Sequence, residues 1–223
     1  MAIIRGSLKA FLLGAGLGTR LRPLTNEIPK CLLPIGEKPL LQIWLEHLAR
    51  HRIDEVLINT HHHAEQVEEF VRGYKGVPHI RLEYEETLLG SGGTVYRHRD
   101  FVQSEDEFWV IYGDNLSSVD LGQMLEFHRR REALATIGLF EVENPKQCGI
   151  ATLDETGRVI EFVEKPADPK GNLANAGIYL LSNRVFEQVR WGYSLPMDFG
   201  FHILPQLVGR MYGYPIKEYH LDI

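Results

Sequence analysis

Short apolar runs recur through the first two-thirds of the chain, separated by segments of helical periodicity. Lys9–Leu13, the β-branched Glu55–Thr60 and Phe108–Tyr112 are the strand-like runs, and His79–Tyr84 alternates apolar with polar positions. Continuous runs suit strands covered on both faces of a parallel sheet. Between them, Leu41, Trp44, Leu45 and Leu48 carry helical spacing, as do Val67, Phe70 and Val71, and then Leu121, Met124, Leu125 and His128. Alternation of this kind predicts a doubly wound α/β fold with a mostly parallel, mixed, Rossmann-like sheet.

Beyond about residue 134 the pattern shortens. Thr136–Val142, Gly149–Leu153 and Val159–Val163 read as strands, the last two joined by a turn-like DETGR. Ala176–Leu181 is a further strand, and Arg184–Val189 a helix with Ser182 or Asn183 as its cap. Ile216–Leu221 is the predicted closing strand. These additions look antiparallel and extend the same sheet. No repeat, low-complexity tract or linker interrupts 1–223, so one domain is expected.

Composition narrows the function classes. The 223 residues are 44% hydrophobic and 24% charged, with 24 Lys+Arg against 30 Asp+Glu and a net charge of −6. No basic run marks a nucleic-acid footprint, and Arg129–Arg131 fits a solvated helix face. No stretch approaches the ~20 apolar residues that span a membrane. Arg5 and Lys9 before AFLLGAGLG mimic a short signal peptide, but the run lacks a cleavage site and reads as a buried first strand. The two cysteines, Cys31 and Cys148, fit no zinc or redox spacing, which favours a reduced, cytoplasmic protein.

Candidate chemistry begins directly after the first strand, in LLGAGLGTRLRPLTNEIPKCLLP. Gly14, Gly16 and Gly18 let the backbone turn tightly, and successive amides in such a turn form an anion-binding concavity. The dinucleotide fingerprint requires glycine where Thr19 stands, and the Gly-Lys-Ser/Thr of a Walker loop is missing. Arg20 and Lys30 supply fixed cations that suit a triphosphate, Arg as a bidentate partner and Lys as a point charge.

This segment, together with ETLLGSGGT, YGDN, FVEKP, NAGIYLLS and YHLDI, resembles the sugar-1-phosphate nucleotidyltransferases along the whole chain. Within them, FHRRREALATIGLFEVENPKQCGIATLDETGRVIEFVEKP is most similar to mannose-1-phosphate guanylyltransferases. The resemblance implies transfer of a nucleotidyl group from NTP, GTP first among them, to mannose 1-phosphate or a related hexose or heptose phosphate, releasing pyrophosphate. It makes 1–133 the nucleotide-binding half and 134–223 the sugar-phosphate-binding half. It places Leu13, Gly14, Ala15, Gly16, Gly18 and Thr19 around the nucleotide, with Gly90, Ser91 and Gly92 at the base. Ser91 could equally cap the helix that starts there. Arg20, Lys30, Asp114, Lys165 and Asp222 become the catalytic set, with Asp114 and Asp222 holding Mg²⁺. Gly149, Glu164, Lys165 and Asn175 would bind the sugar phosphate. Cys148 departs from the aromatic residue that family members commonly carry there.

Expected partners are thus a small-molecule NTP and a sugar 1-phosphate, with no nucleic acid and no membrane; a homodimer stays open. The match ends at Asp222, without the Gly-Thr-like pair and helix that follow in the family, which implies a minimal enzyme or a shortened chain with Asp222 on a frayed end. Other readings are a non-catalytic nucleotide-sugar-binding regulatory subunit, a thymidylyl- or uridylyltransferase of the same family, and a glycosyltransferase. The last is disfavoured by Asp114-Asn115-Leu116, where two Asp flanking one residue are usual. His61–His63 invite a metal site, but consecutive residues do not share a helical face, so a loop or helix start is expected.

Overall fold

The computed structural model describes residues 8–192 and 195–223; Arg5 of the signal-like segment lies outside them. The parallel part of the sheet is built from β1 (Leu8–Leu13), β4 (Ile53–Thr60), β5 (His79–Tyr84) and β6 (Glu107–Tyr112), in spatial order β6-β1-β4-β5. A small hairpin, β2 (Pro34–Ile35) with β3 (Lys38–Pro39), leads into helix α1 (Leu40–Arg50). Helices α2 (Ala64–Gly73), α3 (Ser91–Arg97) and α4 (Leu121–Arg130) follow β4, β5 and the short β7 (Asn115–Ser117). The second half adds β8 (Ala135–Glu141), β9 (Gly149–Leu153), β10 (Val159–Glu164) and the long β11 (Leu173–Ser182), then α5 (Val185–Gln188), α6 (Leu204–Leu207), β12 (Met211–Pro215) and β13 (His220–Asp222). The doubly wound, mixed sheet read from the sequence is the fold observed.

Both faces of the sheet are covered, which is why its central strands are apolar without alternation. Phe11, Val110 and Tyr179 face a core closed by Val95 of α3, Val185 of α5 and Leu204 of α6. Leu12, Ile111 and Leu180 face the opposite core, closed by Trp44 of α1, Val67 of α2 and Met124 of α4. Trp44 also donates its indole N–H to Asn115 O at 2.6 Å, fixing the start of β7. Arg129 and Arg130 pair with Glu107 and Glu126, while Arg131 stacks over Phe127, as a solvated helix face does. No described helix is long and apolar enough to cross a membrane.

The decisive irregularity is in β11. Its first residues pair with β8 and touch β9, with Ala174 opposite Ile150. From Ile178 onward it pairs with β8 and β6. The register breaks between Asn175 and Tyr179, where Gly177 sits at φ +65°. A Cβ there would meet Asn115 Nδ2 at 2.7 Å and Tyr112 Cβ at 3.0 Å. Asn115 Nδ2 donates to Ala176 O at 2.6 Å, and Asn175 Oδ1 accepts from Gly177 N at 3.0 Å. The sheet therefore forks, opening a gap between the end of β6 and the start of β9.

Three expectations are corrected. Ile216–Leu221 is not one strand: β12 runs parallel to β8 along the sheet edge, Ile216 N makes a last bond to Leu139 O at 2.8 Å, and the chain then crosses to pair β13 with β7. Gly213 disguised β12, because the strand needs it where a Cβ would strike Leu139 and Leu153. The helix after β11 is only Val185–Gln188, and neither Ser182 nor Asn183 caps it. Asn183 Nδ2 instead donates to Val102 O and Glu105 O at 2.6 and 2.9 Å. The end of the chain is not frayed at Asp222, which sits in β13 opposite Asn115, with the His220 ring packed 4.4 Å from that of Phe140.

Gly177→Ala is expected to destabilise the protein by about 1–3 kcal/mol through the left-handed backbone and the Asn115 clash, measurable by urea denaturation. Buried His47 and His128 are both held down to about 4 from 6.5, chiefly by desolvation. The unfolded chain takes up these protons first, so stability present above pH 6.5 is lost as pH falls toward 4, by up to about 3 kcal/mol per histidine. A melting temperature that stays flat from pH 7 to 4.5 would contradict this.

Candidate active site

Strand order reverses between β1 and β6, with β4 and β5 on one side and the fork on the other. Ligands of open α/β sheets bind at such a switch point, beyond the carboxyl ends of the strands. Here the ends of β1 and β6 are tied by Gly113 N to Leu13 O at 2.8 Å, and a cleft of about 390 Å³ opens above them. Its walls include Leu13, Gly14, Ala15, Gly16, Gly18, Thr19, Arg20 and Lys30 from the signature loop, Gly90 and Ser91 from the start of α3, and Asp114 after β6.

The loop is positioned from below. Gly18 adopts φ +60°, and a Cβ would lie 2.8 Å from Thr25 Cγ2, so glycine is required there. Thr25 Oγ1 donates to Gly18 O at 2.7 Å. The histidine triplet reaches three separate carbonyls. His61 Nδ1 contacts Glu85 O, His62 Nε2 contacts Thr25 O, and His63 Nε2 contacts Asn26 O, at 2.7, 3.3 and 2.9 Å. His62 and His63 thus fasten the signature loop to the end of β4, while His61 ties that end to the residue after β5.

Under the cleft floor lies a polar network that nothing in the sequence singled out. Gly14 N donates to Asn59 Oδ1 at 2.9 Å, and Asn59 Nδ2 donates to Glu85 Oε1 at 2.9 Å. The Glu85 carboxylate also accepts from Thr94 Oγ1 at 2.5 Å and Leu89 N at 3.0 Å. Asn59, Glu85 and Thr94 are all buried, so the glycine loop and the LGSGGT turn are held by one satisfied unit. The faint signal was Asn59, a polar residue directly after the apolar run Val56–Ile58 of β4.

At the end of β6, Lys30 Nζ pairs with Asp114 Oδ2 at 2.9 Å, joining the signature loop to the switch point. Across β7, the Asp222 carboxyl is pushed up, first by desolvation and then by Asp114, and is opposed by Lys30 and Arg20. Asp114, Lys30 and Arg20 thus all act on Asp222 through space although they come from separate segments. Arg20 itself is exposed, on the turn Thr19–Leu21.

On the far side of the fork, Glu164 ends β10 and Lys165 follows it. Burial and then Asp198 push the Glu164 carboxyl up, against the pull of Lys165. Gly149 is a steric necessity, since a Cβ would meet Glu164 Oε2 and Phe162 Cζ, each at 2.5 Å. Lys165 holds φ +48°, donates its N–H to Cys148 O at 3.0 Å and extends its ammonium over the Phe201 ring. Cys148 lies under the influence of Asp222, Glu164, Arg20 and Lys165, which locates it between the two groups of charges. Its thiol is raised chiefly by burial, and that of Cys31 is pushed up to about 12 for the same reason. Asn175 is engaged in the fork, donating to Tyr179 Oη at 2.7 Å.

Ser91 does not cap α3, whose N-cap is Gly90 at φ +78°. Its hydroxyl accepts from Tyr112 Oη and Phe199 N and donates to Asp198 Oδ2, at 3.0, 2.8 and 3.1 Å. Gly92 N and Gly93 N both donate to Met197 O. The base-side turn is therefore covered by Pro196–Phe199, a segment that sequence pattern left unmarked.

The fold and cleft define a mixed α/β protein whose candidate site sets cations and carboxylates from separate segments side by side. The nucleotidyl transferase family model matches residues 9–219, and the chain belongs to that family. It is 33% identical to UTP–glucose-1-phosphate uridylyltransferase of Synechocystis, over 96% of this chain and 58% of that protein. It is 34% identical to mannose-1-phosphate guanylyltransferase of Mycobacterium tuberculosis, over 96% of this chain and 60% of that protein. The chain spans less than two thirds of the length of these relatives. A Bacillus anthracis crystal structure assigned as a glucose-1-phosphate thymidylyltransferase, in complex with sucrose, superposes with a TM-score of 0.84 at 27% identity, covering 96% of this chain and 89% of that one.

Asn59→Ala is expected to cost about 2–4 kcal/mol, because it strips a buried carboxylate of a donor and leaves the Gly14 amide without its acceptor. Denaturant titration should show the loss, with faster hydrogen exchange in the glycine loop.

Proposed function

We propose that the protein transfers a nucleotidyl group from an NTP to a sugar 1-phosphate, releasing pyrophosphate and forming a nucleotide sugar. The observation that carries this reading is the convergence of Arg20, Lys30, Asp114 and Asp222 at the switch point, beside a cleft floored by glycine-loop amides. GTP and mannose 1-phosphate are the first pair to test, supported by the resemblance around 127–166 and by the Mycobacterium relative. The cyanobacterial and Bacillus relatives make uridylyl and thymidylyl transfer the runners-up. Such chemistry belongs to cytoplasmic nucleotide-sugar biosynthesis.

In the reaction a sugar-phosphate oxygen attacks the α-phosphorus in line, the new P–O bond forms, and the bond to the β-phosphate breaks. The nucleophile is already anionic near neutral pH, so no strong general base is needed. The chain's task is to hold two polyanions together and to meet the charge that develops. Ala15–Thr19 amides and Arg20 bind the triphosphate, with Leu13 and Gly14 lining the same wall. Lys30, kept oriented by Asp114, gains a second anion when the triphosphate enters. Lys165 binds the incoming phosphate, and Glu164 accepts from sugar hydroxyls.

Magnesium fits the carboxylate pair: Asp114 and Asp222 offer hard oxygen donors from adjacent segments, and Mg²⁺ keeps waters and substrate oxygens as its other ligands. When bound, it would neutralise phosphate charge as a Lewis acid.

A pyrophosphate-release assay across a matrix of NTPs and sugar 1-phosphates tests the function, and EDTA should abolish the signal. Arg20→Ala, Lys30→Ala and Lys165→Ala should each lose roughly 2–4 kcal/mol of transition-state stabilisation, read from kcat/KM. Substantial activity of Asp114→Ala with Mg²⁺ present would remove the metal assignment.

A further inference from the structure

The parallel side of the sheet ends at β5, and among the described residues no strand pairs with its outer edge. Just past its end Glu85 N donates to Thr60 O at 2.8 Å, so the odd-numbered residues turn their backbone groups toward β4. By the two-residue period, Ile80, Leu82 and Tyr84 then present their N–H and C=O groups outward. Open edges are commonly guarded by Lys, Pro or a bulge. Within His79–Tyr84 there is no Lys and no Pro, and the register with β4 is unbroken.

The side chains along this edge are complementary to themselves. On one face Ile80 and Leu82 stay half-buried at the margin of a core, with Phe70 and Tyr74 of α2, and Tyr84 is exposed. On the other face Arg81 Nε donates to Glu83 Oε1 at 2.6 Å, and Arg81 Nη1 to Asp100 Oδ2 at 3.4 Å. We propose that β5 is a self-association edge, to which a second copy of this chain adds its own β5 antiparallel about a two-fold axis at Leu82. Leu82 exchanges both backbone bonds with its counterpart, and Ile80 does so with Tyr84 of the partner subunit. The latter is an aromatic–β-branched pair on the apolar face, a favourable cross-strand combination. On the charged face Arg81 meets Glu83 of the partner subunit, twice by symmetry. Sliding by one step either way sets two Arg81 or two Glu83 side chains against each other. Like charges directly opposite are unfavourable, so charge fixes the register. The contact is isologous and closes at two copies. Because the paired strands run in opposite directions, the two clefts open at opposite ends of the joined sheet and both stay accessible.

A dilution series in sedimentation velocity should show the parent passing from monomer to dimer with Kd of roughly 1–100 µM, as suits one strand pair with few side chains. Arg81→Glu and Glu83→Arg each place like charges at both positions and should each weaken Kd about tenfold or more. An equimolar mixture of the two variants restores opposite signs and should recover the parent's dimer, as should the double variant Arg81→Glu/Glu83→Arg. In the parent, amide exchange at Ile80, Leu82 and Tyr84 should slow as concentration rises, while the Arg81 and Glu83 amides, already bonded to β4, change little. A parent that stays monomeric leaves the edge to some other extended chain and overturns the proposal. So does a dimer indifferent to both single variants, or a mixture of correctly folded variants that stays monomeric. Exchange at the three outward amides that ignores concentration overturns it without any variant.

Discussion

The arrangement depends on one break in a hydrogen-bond ladder. At Gly177, β11 stops pairing toward β9 and begins to pair with β6, and Asn115 fills the junction by donating to Ala176 O. An unbroken strand would have sealed the sheet from β6 to β9, leaving no space for charged side chains between the two halves. A backbone conformation that favours glycine and a buried amide that finds its acceptor hold the fork open. Asp114 and Asp222 stand on one bank, Glu164 and Lys165 on the other.

Charge is managed in the same place. Asp114, Asp222 and Glu164 bring three carboxylates to the region of the fork, and the structure distributes cations among them. Lys30 pairs with Asp114, Lys30 and Arg20 oppose the raised Asp222, and Lys165 opposes the raised Glu164. A cleft built this way has sites of both signs ready for a ligand that carries phosphates at one end and hydroxyls at the other. Its walls are stiff because they stand on buried, satisfied groups: Asn59 with Glu85 beneath the glycine loop, and Ser91 with Asp198 and Tyr112 beside it.

Sequence pattern was most informative where one physical rule acts locally. Strands covered on both faces leave continuous apolar runs, so β1, β4, β6 and β9 were legible within a residue or two. The turn between β9 and β10 was equally clear, because its residues bond to each other: Asp154 Oδ1 accepts from Thr156 N and Arg158 N. Legibility failed where a residue's role is set by a distant neighbour. Ser91 and Asn183 have the chemistry of helix caps, yet their partners Asp198 and Val102 lie 107 and 81 residues away, and those contacts took precedence. β12 went unread as well, and its Gly213 is fixed by Leu139 and Leu153 across the sheet.

By itself, then, the sequence determined the fold class, the glycine loop with its cations, and the motifs that mark the nucleotidyl transferase family. These are carried by periodicity and by short contiguous segments, which chain order preserves. Only tertiary structure decided that β11 forks, that Asp222 is anchored beside β7, and that Glu85 and Asp198 support the two ends of the site. Each of those depends on side chains meeting across the sheet, and no spacing along the chain encodes a distance through space.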